Sequence, residues 1–542
     1  MRQPNIIFIM ADQLGANFVS CYGSGVNSTP NLDRLAAEGM RFNRFYAASP
    51  VCAPNRATIL TGRSPEIHGI TKNNLALQSD NPTYAHVLRQ HGYWTGCFGK
   101  IHQTPMHWPP PKDVGFLGFD ECIISEDPKW GPWIDWIKEK HPEHYATAIA
   151  MTNGHSGVRG AARWLDVGIG ASEEQFQLKV KVYPHIMQPL LDQSAWDRMY
   201  PSPLPAKAHD TAFITECSVD FINRAVASHA DQPFFCHVSY VDPHDPYDPP
   251  EPYASMFEPE DMPDPIPAEW LEQGPTLLDR NRDGYLKFRT ICDDVPAIKQ
   301  LRALYHGSLK LIDDQIGRIV DYLKDAGLWK NTILAFTTDH GEMMGDHGLI
   351  AKGKPHYDTC IRCPLIVAGG PVQQGVSSRL SCSLDLFPTF CEWGGVRTEA
   401  LPPCEGKSFA GQCISTVPAE SAGWEEIAVS IGGVDSVITE DGWRLTRFSP
   451  QNAGQMFNLK EDPQEQHNLY HDPRHQEKTV ELLERLIKVR ALPRLTHQYR
   501  NLALKDGQKW ETNNRKAWPL YKTKPSPWLQ DDPKPEWHGQ EE

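Results

Sequence analysis

The chain has 542 residues, of which 22% are charged and 40% hydrophobic, an ordinary balance for a soluble globular protein. A chain of this length is too long for a single hydrophobic core, so we expect one large domain and a smaller one. The net charge of −15 argues against nucleic acid as a partner, because phosphate binding needs clustered Lys and Arg. A small anionic substrate stays possible, since it needs only a local positive pocket and a metal.

The apolar run from Ile6 to Met10 near the start is too short for a signal-peptide core or a membrane span. No later stretch reaches the length of a transmembrane helix. Thirteen scattered cysteines show no compact disulfide pattern and fit a reducing compartment. We therefore expect a cytoplasmic protein without a membrane partner.

Four short apolar runs end in polar side chains that can bind a metal or an anion. In chain order, these runs and the polar residues after them are 6–10 with Asp12 and Gln13, 95–99 with Lys100 and His102, 234–238 with His244, and 332–336 with Asp339 and His340. Such runs, separated by helical patterns, are typical of a parallel sheet buried on both faces. Ligands bind beyond the carboxyl ends of such strands, so the four ends predict one active site.

Each polar residue also has a simpler explanation. Asp12 could cap a turn, Lys100 could be a solvated charge at a strand end, and His244 could be an exposed loop histidine. The joint occurrence of these residues is what favours a site.

The helices and the smaller domain can be predicted from periodicity. Residues 301–323 keep helical spacing of apolar side chains before Gly327, and 31–39 form a shorter helix. Residues 443–448 alternate as a half-buried strand, and 477–490 form a helix. The apolar side of that helix is predicted to carry Val480, Leu483, Leu486 and Ile487, with Arg490 on the same side and with Leu482 and Val489 widening the stripe. We predict an α/β domain over 1–418, with a large, mostly parallel sheet flanked by helices, and a smaller α+β domain on an antiparallel sheet over 419–542.

Cys52 opens the pentapeptide Cys-Ala-Pro-Asn-Arg, which begins a short helical stretch closed by Gly62. A helix start favours negative charge, and Arg56 returns to the same spot one turn later. A low-pKa thiolate and a buried structural cysteine remain alternatives. The spacing excludes a phosphatase of the Cys-x5-Arg type.

The lone pair Cys360 and Cys363 is a weak metal or redox signal, and we interpret it as structural.

The pentapeptide and four further segments resemble the sulfatase family, part of the alkaline phosphatase-like superfamily. The further segments are 29–35, 92–102, 337–349 and 456–465. The resemblance implies that Cys52 is oxidised to formylglycine by a formylglycine-generating enzyme, and that the hydrated aldehyde is the nucleophile. Asn55 departs from the family pattern, which usually has Ser, Thr or Ala there. Residues 121–210 and those beyond about Arg494 resemble nothing that can be placed.

The resemblance also implies the metal ligands, which are Asp12, Gln13, Asp339 and His340, with the modified Cys52 as a further ligand. The family often has Asp in place of Gln13 and Asn in place of His340. Oxygen ligands suit Ca²⁺ or Mg²⁺, and an imidazole makes Mn²⁺ more acceptable. We expect one divalent cation, with Ca²⁺ as the first choice.

The remaining roles are carried over in the same way. Asp339 is the expected base, and positive charge around the substrate oxygens comes from Arg56, Lys100 and Lys352. Lys352 is preferred to Lys354 because of its distance from Tyr357. His244 or Lys352 protonates or stabilises the leaving oxygen, His102 takes the second proton of the hydrate, and Asn73 is a weaker substrate-binding residue.

Three functions remain open at this point. The first is hydrolysis of sulfate monoesters of the arylsulfatase type, and the second is hydrolysis of phosphonate monoesters or phosphodiesters by the same machinery. The third is a non-catalytic binding protein with an unmodified Cys52.

Four tryptophans among the prolines of 510–542 also predict an extended arm with buried aromatic anchors, and with it a homo-oligomer.

Overall fold

A computed structural model describes residues 3–106, 115–129, 131–151, 199–229, 231–267, 294–414, 423–449 and 453–503. The predicted arm over 510–542 and the predicted domain boundary at 418 lie outside these residues. Among the described helices, none is long and apolar enough to cross a membrane.

The described part of the chain builds a large sheet of nine strands. They are β1 Asn5–Ala11, β2 Met40–Tyr46, β3 Trp94–Gly99, β4 Glu121–Ile124, β5 Phe234–Ser239, β6 Thr332–Thr338, β7 Arg362–Ala368, β8 Gly375–Ser377 and β9 Ser381–Cys382. The order is β4-β3-β5-β1-β6-β7-β2-β8, and β9 also pairs with β2. All neighbours pair in parallel except β7, which runs antiparallel to both β6 and β2. The predicted large, mostly parallel sheet is confirmed.

Helices cover both faces of this sheet. They are α1 Pro30–Glu38, α2 Cys52–Thr61, α3 Pro65–His68, α4 Tyr84–Gln90, α5 Pro132–Lys140, α6 Tyr145–Met151, α7 Asp210–Ser228, α8 Val295–Asp325, α9 Asp358–Ile361, α10 Leu386–Trp393 and α11 Ala410–Ile414. Alternate residues of β1 enter different cores: Ile7 and Ile9 pack with α7 and α8, whereas Ile6 and Phe8 pack with α2, α4 and α10. The sheet is therefore buried on both sides, which is why its strands are continuous apolar runs.

A separate antiparallel sheet follows, with strands β10 Glu426–Ile431, β11 Val434–Thr439, β12 Trp443–Phe448 and β13 Ala453–Asn458 in sequential order. One face packs on the large body in a shared core that includes Tyr357, Val429 and Phe448. The other face packs on helix α12, Gln476–Ala503, through Val437 and Leu482. The predicted antiparallel sheet with a helix is confirmed.

The predicted apolar side of α12 is partly wrong. Leu482 and Leu486 are buried, but Val480 is 51% exposed and Ile487 is 64% exposed. The buried stripe passes through Leu482, Leu486 and half-buried Val489, with Leu483 at its margin. Positions 480 and 487 are two turns apart and lie beside this stripe rather than on it. Because this helix has apolar residues on more than one side, its sequence alone does not determine which side is buried. The sheet on which the helix packs determines it.

Candidate active site

The ends of the four predicted apolar runs lie along one rim of the large sheet. Strands β3, β5, β1 and β6 are adjacent and parallel, so the residues that follow them emerge at the same edge. Helix α2 begins at Cys52 on this edge and ends at Thr61, and the next residue, Gly62, has a left-handed φ of 64°. The backbone thus brings residues that are distant in sequence to one buried point.

Cys52, Asp12, Asp339 and His340 form the centre of the site. Each offers one potential ligand atom, and these atoms all lie within 4.8 Å of one another. Cys52 Sγ lies 3.1 Å from His340 Nε2 and 3.7 Å from Asp12 Oδ1. All four side chains are 0–1% exposed. Four potential ligand atoms therefore lie together in a buried place around the sulfur atom.

Gln13 joins this group through an amide whose orientation is fixed. Its Nε2 donates to a Glu342 carboxylate oxygen and, at 3.4 Å, to Tyr247 Oη, while its Oε1 accepts from Lys352 Nζ. Gln13 has a left-handed φ of 62°, which is unusual outside glycine. Its own N–H donates to Asp339 Oδ1 at 3.0 Å, and Tyr305 Oη donates to its carbonyl at 2.7 Å. The amide oxygen thus lies on the Lys352 side of the residue and the NH₂ on the Glu342 side.

Arg56 is buried between the two aspartates. Its Nε donates to Asp339 Oδ2 at 2.8 Å, and its Nη2 donates to Asp12 Oδ2 at 3.0 Å. Nη1 donates to the Lys100 carbonyl and to Ser239 Oγ. With four hydrogen bonds already made to the protein, the guanidinium orients the carboxylates more than it presents donors to a substrate.

Two lysines supply further positive charge. Lys100 Nζ lies 2.6 Å from Asp12 Oδ2 and also pairs with Asp127. Lys352 Nζ lies 2.9 Å from Cys52 Sγ and 2.6 Å from His244 Nε2. Lys352, and not Lys354, is thus the lysine beside the sulfur. Although burial alone would raise it, Lys100 and Arg56 hold the pKa of Asp12 well below its ordinary value.

The neutral forms of the cysteine and the histidines are favoured. Burial, reinforced by the Asp12 carboxylate, raises the pKa of Cys52 to about 12. The low-pKa thiolate, one of the alternatives above, is therefore not favoured. Burial lowers the pKa of His340 to about 4, and burial together with Lys352 lowers the pKa of His244 to about 4. His340 Nδ1 donates to the Gly341 carbonyl at 2.9 Å, so Nε2 carries the lone pair that faces the sulfur.

His102 and Asn73 lie at the margin of the site. His102 is fully buried, and neither ring nitrogen hydrogen-bonds to any residue in the described ranges. Burial, followed by the charge of Lys100, lowers the pKa of His102 to about 3. Asn73 Oδ1 accepts from the N–H of Ala53 at 3.1 Å, directly after Cys52. Asn73 therefore satisfies an unpaired donor in the first turn of α2.

These residues fit a divalent cation. Two carboxylates, the sulfur of residue 52 and a neutral imidazole converge, and the imidazole is held by a hydrogen bond from its other nitrogen. A second buried group, His209, Asp242 and Asp248, also has ligand-like spacing. Lys129 Nζ lies 3.9 Å from Asp242 Oδ1 and already supplies a positive charge to that group.

Some residues of the site were not identified from the sequence. Glu342 orients Gln13, Asp127 pairs with Lys100, and Glu126 accepts the N–H of His102 at 2.8 Å. Glu126 and Asp127 follow β4, so the rule that identified the other strand ends could have found them. The signal was weak because β4 is an edge strand of four residues, three of them only half-buried.

The family model described as Sulfatase matches residues 4–396, most of the chain. The chain belongs to the sulfatase family. It is 28% identical to an arylsulfatase of Clostridium perfringens (strain 13 / Type A), over 90% of this chain and 94% of that protein. It is also 28% identical to the multifunctional alkaline phosphatase superfamily protein PehA of Trinickia caryophylli, over 87% of this chain and 92% of that protein. A choline-sulfatase of Rhizobium meliloti (strain 1021) is 26% identical, over 87% of this chain and 83% of that protein.

Solved structures share the fold of this sulfatase. The phosphonate monoester hydrolase of Agrobacterium radiobacter matches with a TM-score of 0.68 at 23% identity, over 90% of this chain and 96% of that one. Membership of the family supports a sulfuric ester hydrolase with a metal site.

Proposed function

We propose that this sulfatase hydrolyses sulfate monoesters, with a formylglycine derived from Cys52 as the nucleophile and one divalent cation as cofactor. The observation that carries the proposal is the position of Cys52 Sγ, which lies among Asp12, Asp339 and His340 and only 2.9 Å from Lys352 Nζ. A buried structural cysteine has no need of four charged or metal-ligating neighbours.

The cation would be held by Asp12, Gln13, Asp339 and His340, with the modified residue 52 as a further ligand. When bound, it withdraws charge from the ester's oxygens and lowers the pKa of the attacking hydroxyl. The oxygen-rich ligand set favours Ca²⁺, with Mn²⁺ and Mg²⁺ as alternatives. Oxidation of Cys52 by a formylglycine-generating enzyme supplies a hydrated aldehyde as the nucleophile.

The side chains of the chain itself have distinct tasks. We expect Asp339, whose carboxylate lies within 4.8 Å of Cys52 Sγ, to accept a proton from the attacking hydroxyl. Lys352 and Lys100 place positive charge around the sulfuryl oxygens. Lys352 Nζ and His244 Nε2 lie 2.6 Å apart and share a hydrogen bond, and we expect His244 or Lys352 to protonate or stabilise the leaving oxygen. His102 is a buried neutral base, and its one unprotonated ring nitrogen can accept the second proton of the hydrate.

Mass spectrometry of the peptide that carries Cys52, combined with kinetics, tests this function. After co-expression with a formylglycine-generating enzyme, we expect the peptide to show the aldehyde mass, which is lower than that of the thiol. Turnover of 4-nitrophenyl sulfate should rise in proportion to the modified fraction. An unmodified peptide with no turnover would instead support a non-catalytic binding protein.

Hydrolysis of phosphonate monoesters or phosphodiesters is the second candidate. The Gln13 and His340 ligands depart from the usual family residues, and PehA is a relative described as multifunctional. Sulfuryl and phosphoryl groups are both tetrahedral and oxygen-rich, so the same charges fit both. Parallel measurements of kcat/KM on 4-nitrophenyl sulfate and a phenyl phosphonate ester distinguish the candidates: a higher value for the phosphonate ester would reverse their order.

A further inference from the structure

Asn55 occupies the position at which the sequence departs from the family pattern, and its side chain is fully buried. Its Nδ2 donates to the backbone carbonyl of Asp339. Its Oδ1 accepts from the N–H of Ala48 at 3.1 Å, from the N–H of Ser49 at 3.3 Å and from Ser383 Oγ at 2.7 Å. One amide therefore joins the start of α2 to three other segments of the chain.

The helix that carries Asn55 and two of the segments that it contacts bear on the site. Asn55 lies on the first turn of α2, three residues after Cys52. Ala48 and Ser49 belong to the stretch that leads into this helix, and Asp339 follows β6. The nucleophile helix and the ligand-bearing strand end are thus joined by a hydrogen bond that passes through no metal and no ion pair. The Arg56–Asp339 ion pair is a second connection one residue further along the helix.

A serine at position 55 could not reproduce this arrangement. Its hydroxyl is a single polar atom on a shorter side chain, whereas the amide carries its donor and its acceptor on different atoms. With serine, either the Asp339 carbonyl or the donors of the 48–49 stretch would lose a partner in a buried place, which is costly.

We propose that Asn55 is a positioning residue that fixes residue 52 relative to the cation ligands Asp339 and His340. This inference rests on the proposed function, because it concerns the geometry of that site. Asn55 is fully buried, and both polar atoms of its side chain hydrogen-bond to the protein. It acts through the carbonyl of Asp339 and through the entry to α2, so its loss loosens the ligand set and the nucleophile together.

Asn55→Ser and Asn55→Asp test the proposal. Aspartate keeps the acceptor oxygen but replaces the donor to Asp339 by a second oxygen. Groups that orient metal ligands typically contribute about 10- to 100-fold to metal affinity or activity. We expect both variants to bind Ca²⁺ and Mn²⁺ about 10-fold or more weakly by calorimetry. kcat should fall by a similar factor, and KM should stay near the parent value. The modified fraction of residue 52, measured by mass spectrometry, normalises kcat.

Asn81→Ser is the matched control, because Asn81 is also buried but accepts from Arg63, at 3.2 Å, and lies outside the site. A purely structural role predicts that the Asn55 variants lose thermal stability but keep the parental cation affinity and kcat. That result would overturn the proposal. If Asn55→Ser does not fold, Ser383→Ala is the second test: it removes the 2.7 Å hydrogen bond to Asn55 Oδ1 and the 3.0 Å bond that Ser383 Oγ accepts from the N–H of Ala48, and it leaves the Asn55 amide in place. It should weaken cation binding in the same direction by a smaller factor, and parental affinity there would also refute the proposal. The cation measurement stands even if the parent shows no turnover, which would refute the proposed function alone.

Discussion

Replacing Arg56 by methionine removes a buried positive charge while keeping most of the side-chain volume. The guanidinium lies 3.0 Å from Asp12 and 2.8 Å from Asp339, and all three side chains are 0–1% exposed. The variant would leave two carboxylates close together, with Lys100 as the main remaining partner of Asp12. Two like charges in a buried place repel each other strongly.

Breaking a buried ion pair by removing one partner costs about 3–5 kcal/mol. This is a large part of the roughly 5–15 kcal/mol that stabilises a typical folded domain. A divalent cation on Asp12 and Asp339 restores positive charge to the same two carboxylates. We therefore expect Arg56→Met to lose about 3–5 kcal/mol of unfolding free energy in chelator and clearly less in saturating Ca²⁺.

Urea denaturation with and without Ca²⁺ measures both values. Arg444→Met is the matched control, because Arg444 is equally buried and lies 2.6 Å from Glu465, away from the cation ligands. It should be destabilised by the same amount in both conditions. If Arg56→Met also lost the same stability with and without the cation, Asp12 and Asp339 would not be cation ligands.

Three further predictions follow from the site and the core. Cys52→Ala and Cys52→Ser should fold with a parental circular dichroism spectrum but show no turnover, and full activity of the serine variant would refute the formylglycine mechanism. Lys352→Ala should lower kcat/KM by about 100-fold or more because its Nζ lies beside residue 52, whereas Lys354→Ala should change it little; the reverse order would show that the wrong lysine was chosen. Burial lowers the pKa of His237 to about 3, so the unfolded chain binds a proton near pH 6.5 that the folded chain does not, and stability falls on acidification. Urea denaturation should show that the free energy of unfolding of His237→Phe falls by about 2 kcal/mol less, between pH 7 and pH 5, than that of the parent. A variant with the same pH dependence as the parent would contradict this assignment.

The large sheet could be predicted because strands buried on both faces must be apolar throughout, as 6–10 and 332–336 are. Strand β2 was not predicted, because its sequence Met-Arg-Phe-Asn-Arg-Phe-Tyr places two arginines and an asparagine on half-buried positions. The antiparallel direction of β7 also has no local signal. Strand order and direction depend on how the connections cross the sheet, which short sequence windows do not encode.

Much of the site could be predicted because its polar residues stand directly after apolar strands or at a helix start. The detailed contacts could not. Glu342 orients Gln13 through a contact that spans 329 positions in the chain, and only the fold makes it. The sequence likewise identified Asn55 as a departure from the family pattern but gave no sign that its amide connects three segments.

If Cys52 is oxidised as proposed, its burial limits when that oxidation can take place. The thiol is only 1% exposed and is enclosed by Asp12, His340 and Lys352. A modifying enzyme needs access to the polypeptide around Cys52. In the folded protein this segment is helix α2, which is buried along its whole length. Under the proposed function, oxidation would therefore have to precede closure of the fold, and the two processes would compete. A chain that folds first would be stable, correctly shaped and permanently without its nucleophile, so a fast-folding variant could yield more protein and less enzyme.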